Sequence, residues 1–233
     1  MIFDPPCREA RLLKRYKRFL ADIEFEDGST ETAHCPNTGS MKTCIESGGK
    51  VFVSESKNLS RKLKWTLEFS QMGKGLIGVN TSLPNKIVSE ALREKRIPTF
   101  EKYESLRTEV KYGSQGSKID VLLESPGMCF IEIKNATLYD SARDCILFPD
   151  AVTTRGQKHL EELMAQVKIG HRAVLFFLVN RAEGKFLSVA DDIDPVYGRL
   201  LRESHKSGVE ILAYRVKSSS QSIELSHEVP IKL

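Results

Sequence analysis

The chain has 233 residues, 40% hydrophobic and 28% charged, with a formal net charge of +4. That composition is globular and excludes intrinsic disorder and fibrous architectures, and the length allows a sizeable core without disulfide or metal staples. The longest apolar run, Ala173–Val179, is seven residues, against about 20 for a membrane-spanning helix. The opening Met1-Ile2-Phe3-Asp4-Pro5-Pro6 has no apolar core of a signal peptide. The expectation is therefore a cytoplasmic protein with no membrane partner.

In chain order, the first feature is charge. Arg8, Arg11, Lys14, Arg15, Lys17 and Arg18 stand against Glu9 alone between residues 8 and 18, and Lys57, Arg61, Lys62 and Lys64 follow with no acid among them. Tyr16, Phe19 and Trp65 are interleaved with these cations. Charge that neutralises phosphates beside rings that stack on bases suits nonspecific nucleic-acid binding. Arg11, Arg15, Tyr16, Lys17, Arg18, Arg61, Lys62 and Lys64 are the candidate DNA-binding residues. The plain alternative is a solvated basic face.

Phe19, Ala21, Ile23 and Phe25 alternate with polar residues up to the turn pair Asp27-Gly28, and Thr30–Cys35 returns as a partner strand. Residues 35–40 are a loop by their breakers. Val51-Phe52-Val53, the alternating Trp65, Leu67 and Phe69, and Leu76–Val79 complete about five short strands, a pattern that suits a small OB-like β-barrel over residues 1–80. Lys74, between two glycines, reads as a turn, because the phosphate-binding loop motif is longer. The five cysteines (Cys7, Cys35, Cys44, Cys129, Cys145) include no C-x-x-C pair and read as free thiols. His34, Cys35 and Cys44 offer only three ligands, which argues against zinc.

From residue 81 to 233 the period changes. Leu83, Ile87, Val88, Ala91 and Leu92 recur at helical spacing; strands follow around 106–112, 118–124 and 128–134, then a helix over 154–168, a buried strand at 173–180, a helix from Pro195 to about Ser207 and a strand over 209–216. This alternation gives an α/β sheet with a partly antiparallel beginning, so the fold class is α/β with a β-rich N-terminal part.

The chemistry sits in Lys118-Ile-Asp-Val-Leu-Leu-Glu124, the turn Ser125-Pro126-Gly127, and Met128-Cys-Phe-Ile-Glu-Ile-Lys134. With that turn, facing residues have numbers summing to about 252, which sets Asp120 against Glu132, with Lys134 on the same face as Glu132. Like charges facing each other in a sheet need something positive between them. A hard divalent cation, Mg²⁺ or Mn²⁺, would serve, with Asp120 and Glu132 as metal ligands and Lys134 as a catalytic lysine in phosphodiester hydrolysis. A surface ion pair of Glu132 with Lys118 or Lys134 is the plainer reading. The apolar neighbours Val121, Leu123, Ile131 and Ile133 argue against it.

An Asp, a short hairpin and Glu-x-Lys, after a helix bearing Glu90, resemble the PD-(D/E)xK nuclease core. Residues 15–22 (RYKRFLAD), 34–41 (HCPNTGSM), 109–113 (EVKYG) and 148–160 (FPDAVTTRGQKHL) resemble the bacterial sugar fermentation stimulation protein family over essentially the whole chain. The resemblance implies an OB-like domain joined to a PD-(D/E)xK-type mixed α/β domain, nonspecific DNA binding, and a link to regulation of sugar utilisation. It adds Glu90 as the acid of the first helix and Gln157 as a helix-borne catalytic glutamine; the aromatic that often follows such a glutamine is Glu161 here. Two functions stay open: a Mg²⁺-dependent DNA nuclease, or a non-catalytic DNA-binding regulator with a nuclease fold. Asp191, Asp192 and Asp194 read as a helix-start cluster, with Asp194 as cap. His159 and His171 read as solvent or capping residues.

Overall fold

The computed structural model describes every residue except 59, 74, 114 and 115, so the turn expected at Lys74 lies outside the described residues. The N-terminal third contains β1 (Arg8–Tyr16), β2 (Leu20–Glu24), β3 (Thr30–His34), β4 (Lys50–Glu55), β5 (Trp65–Met72) and β6 (Gly75–Gly78). Strand β1 pairs with β2 and β4, β4 pairs with β5, and β5 returns to β3 through Ala33 and Trp65, which closes a five-strand barrel; β6 extends it beyond β5. The period-two pattern drives the closure. Leu12, Ala21, Ile23, Val53 and Leu67 alternate into a fully buried interior, so the expected OB-like barrel is present.

The remainder follows as α1 (Pro84–Arg93), β7 (Ser105–Tyr112), β8 (Ser117–Glu124), β9 (Met128–Ala136), β10 (Leu138–Asp140), β11 (Cys145–Phe148), α2 (Thr154–Lys168), β12 (Arg172–Val179), β13 (Phe186–Val189), α3 (Pro195–Lys206), β14 (Glu210–Ser218), β15 (Ile223–Glu228) and β16 (Ile231–Lys232). A six-stranded sheet runs β15-β14-β12-β9-β8-β7, with β12 parallel to both β9 and β14 and the outer pairs antiparallel. Strand β12 is buried on both faces. Val174, Phe176 and Leu178 pack with Ile87, Val88 and Ala91 of α1, while Leu175 and Phe177 pack with Leu160, Leu163 and Leu201 of α2 and α3. Sequence periodicity missed β1, whose cations mask the buried Ala10 and Leu12, and the short strands β10, β11, β13, β15 and β16.

The β8–β9 hairpin keeps the expected sum of 252 from Glu124–Met128 to Val121–Ile131. The expected Asp120–Glu132 opposition is corrected at the next step. There the Asp120 carboxylate accepts the Ile133 N–H at 2.7 Å, so a side chain takes the bond a facing carbonyl would otherwise accept. Where the ladder parts, Asp120 becomes accessible from the first helix.

The starts of α2 and α3 rest on side-chain caps. Thr153 Oγ1 accepts the Gly156 N–H at 3.0 Å, and Asp194 accepts the Tyr197 N–H at 2.9 Å ahead of Pro195. Asp194 also accepts the Thr153 N–H at 2.9 Å and the Gln157 amide at 3.0 Å, so one carboxylate ties the starts of α2 and α3 together. Asp191 pairs with Arg202 at 2.5 Å. Both acids thus have structural work. No helix among the described residues is long and apolar enough to cross a membrane, and all five cysteines are buried free thiols.

Asp194→Ala removes the cap of α3 and strands the donors of Thr153 and Gln157. It is expected to cost about 2 kcal/mol or more of stability, read by denaturant unfolding with and without Mn²⁺. A cation-dependent loss would instead place Asp194 at an ion.

Candidate active site and nucleic-acid interface

Glu132 lies in the centre of the six-stranded sheet at 2% exposure. One oxygen, Oε1, accepts Lys134 Nζ at 2.6 Å and a short bond from His159 Nδ1; the other, Oε2, is buried with no partner among the described residues. Burial alone would push the Glu132 carboxyl up, but the His159 bond and the Lys134 charge outweigh it and hold it below the usual carboxylate value. A carboxylate only accepts, so Nδ1 carries the imidazole proton, and Nε2 faces Arg155 Nε at 3.5 Å as an acceptor.

Asp120 sits where β8 and β9 separate. Its carboxylate accepts Asn85 Nδ2 of α1 and the Ile133 N–H, each at 2.7 Å. Burial, then the nearby charge of Glu132, pushes its carboxyl up. One buried and one half-buried carboxylate within electrostatic reach, with one orphaned acceptor, are the pattern a hard cation satisfies. Among the described residues no three His, Cys, Asp or Glu side chains form a ready cage. A cation that keeps waters and substrate oxygens needs only one or two carboxylates, so the residues present fit Mg²⁺ or Mn²⁺.

The other expected catalytic residues fall elsewhere. Glu90 is half-exposed, and the Met1 ammonium holds its carboxylate at 3.0 Å. Gln157 is corrected: its amide is committed to Asp194, and it lies two residues, about 200°, around the helix from His159. His159 is corrected in the opposite sense. It is 4% exposed and bonds Glu132, the position a solvent or capping role would not give it. Its signal was Arg155, His159 and Glu162 at helical spacing on one face of α2.

Two open grooves flank the carboxylates. One, about 650 Å³, is lined by Asn85, Lys86, Glu90, Arg93, Glu109 and Asp120. The other, about 640 Å³, is lined by Glu109, Lys118, Thr154, Arg155, Lys158 and His159, and includes the N-terminal turn of α2. Apart from Lys118, weighed as an ion-pair partner of Glu132, sequence reading placed none of these cations at the site, since they come from three separate elements.

In the barrel, the expected DNA-binding residues divide. Lys17 and Arg18 are exposed at the β1–β2 turn, both with positive φ (47° and 64°), next to Phe19 at 46% exposure. Lys62 is exposed, Arg61 donates to Thr66 Oγ1 at 3.1 Å, and Lys64 pairs with Glu55 at 3.1 Å. Arg11 pairs with Glu24, and the Tyr16 hydroxyl donates to Asp22. Arg15 is corrected to a structural role. Its Nη2 is within 3.0 Å of the carbonyls of Arg18, Asn37 and Gly39, which fixes the 35–40 loop.

Fold and site together define an OB barrel followed by a mixed α/β domain. The family profiles "Sugar fermentation stimulation protein RE domain" and "SfsA N-terminal OB domain" match residues 82–222 and 13–79. The chain is 50% identical over 230 residues to the sugar fermentation stimulation protein homolog of Pelobacter propionicus, covering 98% of this chain and 99% of that one. The homolog of Geotalea uraniireducens is 48% identical over 229 residues, 98% of each chain. This chain belongs to the sugar fermentation stimulation protein family. The structure of Pyrococcus furiosus SfsA in complex with Ca²⁺ is 24% identical and has a TM-score of 0.87 over 98% of this chain and 96% of that one, so the fold is shared.

Asp120 gives the metal-free protein a pH signature. Its carboxyl is raised in the fold, so the folded state holds its proton more tightly than the unfolded chain and loses stability as pH rises through that value. Asp120→Asn, with Asn85 turning its amide over, is expected to melt higher than wild type in chelator at neutral pH, on the order of 2–4 °C per kcal/mol relieved. The gain should vanish on acidification. A scan that shows no gain at neutral pH contradicts a repelled Asp120.

Proposed function

We propose that this protein binds DNA without sequence preference and hydrolyses phosphodiester bonds with Mg²⁺ or Mn²⁺ at Asp120 and Glu132. The carrying observation is the buried, partnerless Glu132 Oε2 beside a raised Asp120. The complex of the Pyrococcus furiosus relative with Ca²⁺, a hard divalent ion, agrees with that reading. When bound, such a cation supplies Lewis-acid polarisation of a phosphoryl oxygen. Lys134 places a compact ammonium beside Glu132, where it stabilises negative charge that develops on the phosphoryl group. His159 holds Glu132 Oε1 so that Oε2 keeps its lone pairs. Lys86 and Arg93 on one side, and Lys118, Arg155 and Lys158 on the other, position the phosphates of a strand across the carboxylates. Regulation of sugar fermentation, which the family name denotes, would then act through DNA contact in the cytoplasm.

Purified protein is to be incubated with supercoiled, linear and single-stranded DNA in Mg²⁺, Mn²⁺ or chelator. Cleavage should need the cation and fall by on the order of a hundredfold or more in Lys134→Ala, with DNA affinity only slightly reduced. Equal cleavage by Lys134→Ala removes the proposed site. If wild type cleaves none of these substrates, the chain is a DNA-binding regulator that keeps the fold without the reaction.

The combined variant Lys17→Ala, Arg18→Ala and Lys62→Ala leaves Arg15 and its loop intact. It is expected to weaken binding to all sequences alike and to reduce the slope of log K against log salt by about 0.9 for each phosphate that is no longer neutralised. An unchanged slope in a fluorescence-anisotropy titration takes these three residues out of the interface.

A further inference from the structure

Strand β7 keeps one register against β8 along its whole length. Thr108 pairs with Val121 and Val110 with Ile119, so Glu109 stands across from Asp120 with no residue inserted on either strand. Yet Glu109 has φ +56°, in the left-handed region that a non-glycine residue occupies only at a conformational cost. Its side chain is exposed, lines both grooves, and has no hydrogen bond or ion pair among the described residues.

Strain and a row of acids would not by themselves indicate a ligand. The independent sign is Glu132 Oε2, an acceptor in a side chain 2% exposed that no donor among the described residues satisfies. A neutral interior does not retain such an oxygen without cost. Asp120, at the step where β8 and β9 part, is a second carboxylate beside it. The acid that the family resemblance puts on the first helix, Glu90, is held by the Met1 ammonium.

We infer that Glu109 supplies a third carboxylate to the cation site. The inference rests on the cation reading given under Proposed function. Glu109 stands at the saddle between the two grooves, where a strand laid across both would bring its phosphate. Because its carboxylate is exposed and uncommitted, it can turn toward an ion at Asp120 and Glu132 without breaking another bond. The left-handed backbone falls at the one step of β7 that faces Asp120.

The test is calorimetric titration of Mn²⁺ into wild type, Glu109→Gln, Glu90→Gln and Asp120→Asn in the absence of DNA, with melting curves to confirm that each variant is folded. Glu109→Gln is expected to weaken Mn²⁺ binding by about tenfold or more, Glu90→Gln to leave it within about twofold, and Asp120→Asn to abolish it. Glu109→Asn, whose side chain tolerates the left-handed backbone, should weaken binding as Glu109→Gln does, which separates loss of charge from altered strain. If Glu109→Gln binds as wild type while Asp120→Asn does not, Glu109 is excluded and the cation reading stands. If Asp120→Asn also binds as wild type, the cation reading itself fails.

Discussion

An ionised carboxylate between apolar strands needs partners, because its desolvation is among the larger costs a fold can carry. Glu132 meets that need on one oxygen only, and much of the α/β half is arranged around the fact. Lys134 must follow two residues along the same strand face, so that its ammonium can turn back to Oε1. Helix α2 must present His159 at the same oxygen, which sets the rotation of the helix against the sheet. That rotation is in turn fixed at the helix start by Thr153 and by Asp194 of the neighbouring helix start. An unsatisfied Oε2 is left over, and breaking either partner of Oε1 would leave a buried charge with less still.

What the sequence could show followed the range of the interactions involved. The β8–β9 register was legible because a turn triplet and a period of two are local, and the sum of 252 holds through Val121–Ile131. It stopped being legible at Asp120, where a side chain replaced a ladder bond. Helix α2 was found by its apolar stripe, but an apolar stripe does not say which polar residue meets a buried acid on another strand. Gln157 and His159 differ by two positions and about 200°, and only the packed sheet selects between them. Glu109 was legible as part of a motif; its backbone angle was not.

The basic clusters show the same boundary in another form. Their charges were plain, their partners less so. Arg11 stands across from Glu24 in the β1–β2 ladder, a pairing that follows at once when β1 is recognised as a strand. Such a pair, with Arg11 57% exposed, is worth about 1 kcal/mol or less, so a phosphate can displace the carboxylate. Arg15 is different in kind. Its three carbonyl acceptors belong to two loops, and moving it to a phosphate would leave those carbonyls and both loops unsupported.

Arg15 therefore connects the two candidate surfaces rather than belonging to either. It ties the Lys17–Arg18 turn, through the Arg18 carbonyl, to the loop at Asn37 and Gly39. Gly39 lies so close to Asp150 that a Cβ there would come within 3.0 Å of Oδ2, and Asp150 is three residues before the Thr153 cap of α2. The first turn of that helix carries Thr154 and Arg155 into the groove beside His159. A second tie runs further along the same loop, where buried Arg181 donates to the Thr43 carbonyl at 3.1 Å and the Thr137 carbonyl at 2.8 Å, three residues past Lys134. Bonds of this kind, made to backbone on both sides, hold position better than exposed ion pairs do. The exposed cations of the barrel turn are thus held at a fixed offset from the carboxylates. The geometry of the surface between the Lys17–Arg18 turn and the grooves is set by Arg15 and the 35–44 loop.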